Sequence, residues 1–153
     1  MIRPAESGDR SALLHLAEAS GLFPPSELPG LDAQLSEYFD GQREEHAWIV
    51  DDDGGVQAAA YYAPEIFTDG TWNLYFIAVL PGDQRKGRGA ALLRHVENDL
   101  REGGQRVLIV ETSGLDGYEQ TRTFYDKNGY TEEARIRDFY QAGEDKVVFW
   151  KAL

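Results

Sequence analysis

Residues 77 to 93 read IAVLPGDQRKGRGAALL, and this stretch decides the fold. The apolar run through Val79 is strand-like, Pro81 ends it, and Gly82, Gly87 and Gly89 mark a turn that opens a helix. N–H groups in such a turn and in the first turn of a helix have no carbonyl partner of their own, and they sit at the positive end of the helix dipole. Strand, turn and helix N-terminus together therefore form a receptor for a diphosphate, to which Arg85, Lys86 and Arg88 add positive charge.

Spacing separates the phosphate patterns that could apply. Gly82 and Gly87 have the separation of a nucleotide triphosphatase loop, but Arg88 and Gly89 stand where Lys and Ser or Thr must meet phosphate and Mg²⁺. Gly87-x-Gly89 could start a dinucleotide fingerprint, but Leu92 occupies the third glycine position, where close helix-to-strand packing needs no side chain, and the motif lies far from the first strand. The pattern that fits is Gln84-x-x-Gly87-x-Gly89 directly after a Val-x-Pro strand exit.

Outward from this motif, strand and helix signals alternate. Residues 72 to 79 predict a central strand with Leu74, Phe76 and Ala78 on one face and Tyr75, Ile77 and Val79 on the other, both faces covered. The helix after the turn carries Leu92, Leu93, Val96 and Leu100 on one stripe and stops at Gly103-Gly104, after which 106 to 111 is a further apolar strand. Strand, helix and strand at this spacing make a parallel pair with a right-handed crossover. A last helix, 118 to 128, is closed by Gly129, and strands near 130 to 139 and 146 to 152 form a hairpin around Ala142-Gly143. Toward the N-terminus, Ile2 begins a short strand, and Ser7 or Asp9 caps a helix with Leu13, Leu16 and Ala17 on one face and Gly21 at its end. Pro24, Pro25 and Pro29 forbid regular structure and stiffen a loop bearing Phe23. A second helix carries Leu31, Leu35 and Phe39, and 47 to 50 and 56 to 62 form a hairpin around the acidic turn 51 to 55. The expected class is α/β, with a mixed central sheet and helices on both faces, in one domain spanning 1–153.

A chain of 153 residues can bury a core of its own. It has no Cys, hence no disulfide, thiolate metal site or thiol nucleophile. MIRPAESGDR lacks the apolar stretch of a secretory signal, and no run approaches the ~20 apolar residues of a membrane span, so a cytoplasmic location is expected. The net charge of -12 is uneven: residues 1 to 70 hold 14 Asp and Glu against 3 Lys and Arg, whereas residues 71 to 153 hold 13 against 12. So acidic a surface repels nucleic acid and anionic lipid, so neither is an expected partner, and the basic turn reads as a local anion site. His15, His46 and His95 lie in separate elements with no metal-ligand or triad spacing, so no metal is expected.

With these residues on view, FIAVLPGDQRKGRGAALL, the strand ending in Glu111 and the later TRTFYDKNGY resemble the GNAT superfamily of acyl-CoA N-acyltransferases over most of residues 72 to 153. The stretch EEARIRDFYQAGEDKVVFWKAL is similar to the members that acetylate the α-amino group of a ribosomal protein's N-terminal Ala. The resemblance implies a GNAT-like fold and acetyl-CoA as acyl donor, with Ile77, Ala78 and Val79 pairing with pantetheine and Gln84, Arg85, Lys86, Gly87, Arg88, Gly89 and Ala90 holding the pyrophosphate. It departs from the family where many members carry an Asn that contacts pantetheine; here the helix reads Glu119, Gln120, Thr121 and Arg122.

By the same resemblance Tyr125 is the catalytic acid. A phenol of pKa ~10 remains protonated at neutral pH and can donate to a thiolate whose acid has pKa ~8.5 without a large shift. Glu111 matches the general base, acting directly or through water, and needs partial burial to become an effective one. An α-amine of pKa ~7.7–8.0 loses its proton at pH 7 for about 1–1.4 kcal/mol, whereas a lysine amine costs near ~4.6 kcal/mol. Backbone N–H at or near Val79 is the oxyanion donor. Tyr118, Thr121, Arg122 and Tyr125 share a helix face that could line the acyl channel; Phe23, Tyr38 and Tyr140 are candidate acceptor contacts; Trp72 and Trp150 read as strand packing. The reading is an N-acetyltransferase working by direct transfer in a ternary complex, with an amine acceptor and, as in many such families, a homodimer as partners. Two alternatives stay open: a non-catalytic acyl-CoA sensor of the same fold, and a nucleotide-using kinase-like protein.

Overall fold

Seven strands and four helices build the chain in a computed structural model that describes residues 1–41 and 46–153. The strands are β1 (Ile2–Pro4), β2 (Ala47–Asp52), β3 (Val56–Pro64), β4 (Thr71–Val79), β5 (Val107–Ser113), β6 (Thr131–Gln141) and β7 (Glu144–Ala152); the helices are α1 (Arg10–Ala19), α2 (Leu28–Phe39), α3 (Arg88–Glu102) and α4 (Glu119–Lys127). The sheet is mixed, in the order β1-β2-β3-β4-β5-β7-β6. Two compact units divide the chain, Met1–Ala63 with Phe76–Val96, and Pro64–Tyr75 with Glu97–Leu153.

In the first unit, β1, β2 and β3 are antiparallel, and β2 and β3 meet at the acidic turn. The apolar stripes of α1 and α2 supply Leu13, Leu16, Ala17, Leu31 and Leu35 to a core shared with Trp48, Val50, Ala59, Phe76 and Ala78. Trp48 stacks on Tyr61 at 4.8 Å, and Phe23 packs on Phe76 at 5.8 Å. Pro29 lies within the first turn of α2, where a missing N–H costs nothing, so the proline-rich loop is shorter than expected. Asp9 precedes α1 but does not cap it: its carboxylate accepts the Glu6 N–H at 2.8 Å and pairs with Arg3. Tyr38, expected at the acceptor, is buried in this core.

In the second unit, β4 and β5 run parallel from Thr71↔Val107 to Leu74↔Val110, and the ladder stops there. β7 inserts antiparallel between β5 and β6, leaving β6 as an exposed edge strand. The hairpin turns at Gly143, whose φ of 84° suits a residue without Cβ, and Gly129 closes α4 at φ 88°. Both faces of β4 were expected to be covered; instead Tyr75 is 54% exposed and Ile77 and Val79 are half-buried, against buried Leu74, Phe76 and Ala78. Trp150 is likewise exposed rather than packed.

Candidate active site

The segment after β4 folds as the glycines demand. Pro81–Asp83 makes one 3-10 turn, Arg85 and Gly87 take positive φ of 65° and 79°, and α3 begins at Arg88. No backbone N–H from Gln84 to Ala90 donates a hydrogen bond of ordinary length and angle among the described residues; the next, Ala91, donates to the Gly87 carbonyl at 3.0 Å. Seven consecutive donors are thus free at a helix N-terminus. The Gln84 side chain donates back to the Val79 carbonyl at 3.3 Å, tying the turn to the end of the strand.

The basic side chains are differently employed. Arg88 donates to Asp51 at 2.9 Å and to Asp53 at 2.8 Å, and its Nε, sealed from solvent without a hydrogen bond, faces Asp83 at 3.7 Å. These bonds push the Arg88 guanidinium pKa up, and Arg88 holds the Asp53 carboxyl below its usual range. Lys86 pairs with Asp83 at 3.2 Å. Two of the turn's three cations, Lys86 and Arg88, are therefore matched by three carboxylates, and Arg85 makes no ion pair among the described residues. The acidic turn of the β2–β3 hairpin, read from sequence only as a bend, is the partner of the basic turn.

The second unit holds both expected catalytic side chains. Tyr125, on α4, is 3% exposed and lies among Phe124, Tyr130 and Phe149 at centroid separations of 5.2, 5.7 and 5.5 Å. Burial pushes its phenol pKa well up, which keeps it protonated. Its hydroxyl makes no hydrogen bond among the described residues and is not one of the sealed, unpartnered atoms, so the oxygen keeps access from outside the core. Tyr130 beside it donates to Glu97 at 2.8 Å, and Lys151 pairs with the same carboxylate at 2.9 Å.

Glu111 is the first residue of β5 beyond the parallel ladder with β4. Its carboxylate is 29% exposed and pairs with Lys146 of β7 at 3.0 Å, while the Lys146 ammonium lies 4.1 Å from the Phe139 ring centre. The burial expected for Glu111 is thus partial, and a cation the sequence did not announce fixes the carboxylate. Burial, and then Glu111 and Glu144, push the nearby Tyr140 phenol up. Arg122, expected to face the acyl channel, turns its guanidinium to the carbonyls of Ser113 and Leu115 at 2.7 and 2.8 Å and secures the loop after β5. No cluster of His, Asp and Glu able to hold a metal occurs among the described residues, and His46 instead bonds the Tyr61 hydroxyl at 2.8 Å.

Comparison with known proteins bears on the family and the fold. Residues 43–132 match the model of an acetyltransferase (GNAT) domain. The chain is 27% identical over 150 residues to the [ribosomal protein bS18]-alanine N-acetyltransferase of Escherichia coli K12, covering 96% of this chain and 93% of the relative. A crystal structure of a GNAT-family protein from Desulfovibrio desulfuricans superposes with a TM-score of 0.93 at 34% identity, over 99% of this chain and 98% of that one. A Salmonella typhimurium protein solved with its cofactor acetyl-CoA has the same fold, with a TM-score of 0.79 and 18% identity over 100% of this chain and 93% of its own. By domain match and whole-length likeness, the chain belongs to the GNAT family of acetyltransferases, enzymes that use acetyl-CoA.

Proposed function

We propose that residues 1–153 work as one N-acetyltransferase domain that moves an acetyl group from acetyl-CoA to a primary α-amine, on a small molecule, an amino acid or a protein N-terminus, by direct transfer in a ternary complex. The observation that carries the reading is the run of free N–H groups from Gln84 to Ala90. A diphosphate needs several aligned donors, and this segment presents them at the positive end of α3. Because Lys86 and Arg88 are matched by carboxylates, the grip comes from peptide N–H groups and from Arg85 more than from surplus charge. Ile77, Ala78 and Val79 pair with the pantetheine arm through their backbone, a role suited by the half-buried face that Ile77 and Val79 present, with Ala78 on the buried one.

Acetyl-CoA brings an acyl group already activated as a thioester. Glu111, held by Lys146, takes the proton of the acceptor ammonium, directly or through water. The neutral nitrogen then bonds to the acyl carbon while N–H near Val79 donates to the carbonyl oxygen, and the C–S bond breaks as Tyr125 gives its proton to sulfur. The second proton shed by the nitrogen as the amide forms returns Tyr125 to the phenol, directly or through water. The similarity to an alanine N-acetyltransferase favours an α-amine, whose proton is the cheaper one to remove.

Thiol release from acetyl-CoA, measured across amino acids, polyamines, aminoglycosides and N-terminal peptides, tests the proposal. Release with at least one α-amine, lost in Tyr125→Phe and Glu111→Gln, is the expected result. Coenzyme A binding without release from any amine would return the chain to the sensor reading.

A further inference from the structure

Asn73, on β4, has 1% of its surface exposed; its Nδ2 donates to Glu65 Oε1 at 2.8 Å, and its Oδ1 is sealed from solvent with no hydrogen-bond partner. An orphaned acceptor of this kind is costly and rare in native proteins. What Asn73 gains for that cost is one bond, to Glu65. The same carboxylate oxygen accepts the Tyr75 hydroxyl at 3.1 Å. Backbone fixes Glu65 as well, its N–H donating to the Thr71 carbonyl at 2.9 Å and its carbonyl accepting the Thr68 hydroxyl at 2.7 Å.

Glu65 differs from most of the other shielded carboxylates of the chain, and Glu144, which accepts from Ser113 at 2.7 Å and from Gln141 at 3.0 Å, shares its lack of a cation among the described residues. Asp9 is paired with Arg3, Asp51 with Arg88, Glu97 with Lys151 and Glu111 with Lys146. Glu65 is oriented by two neutral donors and has no cationic partner among the described residues. Its setting also relates it to Glu111. Asn73 pairs in register with Ile109, so Asn73, Tyr75, Ile109 and Glu111 share one face of the sheet. From strand spacing and rise, the Cα atoms of Asn73 and Glu111 are about 8 Å apart.

We propose that Glu65, oriented by Asn73 and Tyr75, binds a second positive group, an ammonium or guanidinium, on the acceptor whose reacting amine meets Glu111. The inference rests on the acetyltransferase reading of Glu111 and adds a substrate class to it: acceptors with two cationic groups. A fixed carboxylate without a counter-ion gives a charge-assisted bond to such a group at little reorganisation cost.

The test follows the Asn73 side-chain amide by ¹⁵N NMR in the full chain with coenzyme A present. One arm titrates 1,4-diaminobutane against butylamine, the other Ala-Arg-amide against Ala-Gln-amide, which separates a small polyamine from a basic peptide as the source. The expected result is saturable movement of the Asn73 signal with a preference of roughly tenfold for the doubly charged member of at least one pair, lost in Glu65→Gln or Glu65→Asp. Equal affinities in both pairs, or a preference that survives the Glu65 variants, would overturn it. Thiol release judges the acetyltransferase reading separately, so release without any Asn73 response sinks this inference alone.

Discussion

Tyr125 combines two properties that seldom occur together, a phenol pushed up by burial and an oxygen with no internal hydrogen bond. Removing that oxygen leaves the aromatic packing intact, so Tyr125→Phe is expected to lower kcat about 10²-fold or more while the melting temperature and coenzyme A affinity hardly move. A melting temperature that fell with kcat would make the hydroxyl structural. Asp9 offers a pH-dependent case. The Arg3 hydrogen bonds hold its carboxyl below the usual range, so the folded state binds this proton less readily than the unfolded one. The contribution is therefore present above the unfolded value near ~4 and lost as pH falls through the lower folded value. Asp9→Asn should cost about 1–2 kcal/mol at pH 7 and progressively less as pH falls below the unfolded value, read from urea melts along that series. At this scale the sequence announced Tyr125 and Glu111 through their resemblance to a family motif. It could not announce Lys146 or Asp51, because each meets its partner only through strand or turn pairing across dozens of residues.

The turn from Pro81 to Ala90 was legible because its chemistry is local: proline ends the strand, and glycine permits the backbone that follows. A Cβ at Gly87 would meet nothing within 4 Å, so the obstacle to a side chain there is the φ of 79° alone. Gly87→Ala is accordingly expected to cost about 1 kcal/mol of stability and to raise the KM for acetyl-CoA at least tenfold with little change in kcat, since the strained turn would relax and redirect its N–H groups. A kcat loss at unchanged KM would contradict this. The βαβ crossover and the C-terminal hairpin were also plain from apolar periodicity and from Gly103, Gly104 and Gly143. The first turn of α2 was not, because Pro29 carries one signal for a loop and the same signal for a helix start. The open face of β4 escaped for a similar reason: alternation reports which side chains are apolar, and Tyr75, Ile77 and Val79 are apolar enough to look buried.

For the whole molecule, the net charge of -12 sets the long-range field, and the basic turn does not locally reverse it, since its Lys86 and Arg88 are matched by Asp51, Asp53 and Asp83. Raising ionic strength from 0.05 to 0.5 M should then change the KM for acetyl-CoA by less than about twofold, while the KM of a cationic acceptor climbs severalfold as its attraction to the acidic surface is screened. Steady-state kinetics at both salt levels would expose a surplus-charge receptor as a steep loss of acetyl-CoA affinity. Charge totals showed the asymmetry between the halves of the chain but not its local cancellation, which depends on how two turns far apart in sequence are folded together. The free amides of Gln84–Ala90 carry a last consequence. Main-chain groups are the same in every residue but proline and do not ionise in the biological pH range, so an alanine scan would pass over them except at Gly87, where the backbone itself would shift, and acidity would not switch them off. Apart from Gly87, whose backbone angle disfavours a side chain, and Arg85, whose charge adds to the hold, the letters of that segment can drift without loss of grip, and only a bend in the chain can close it.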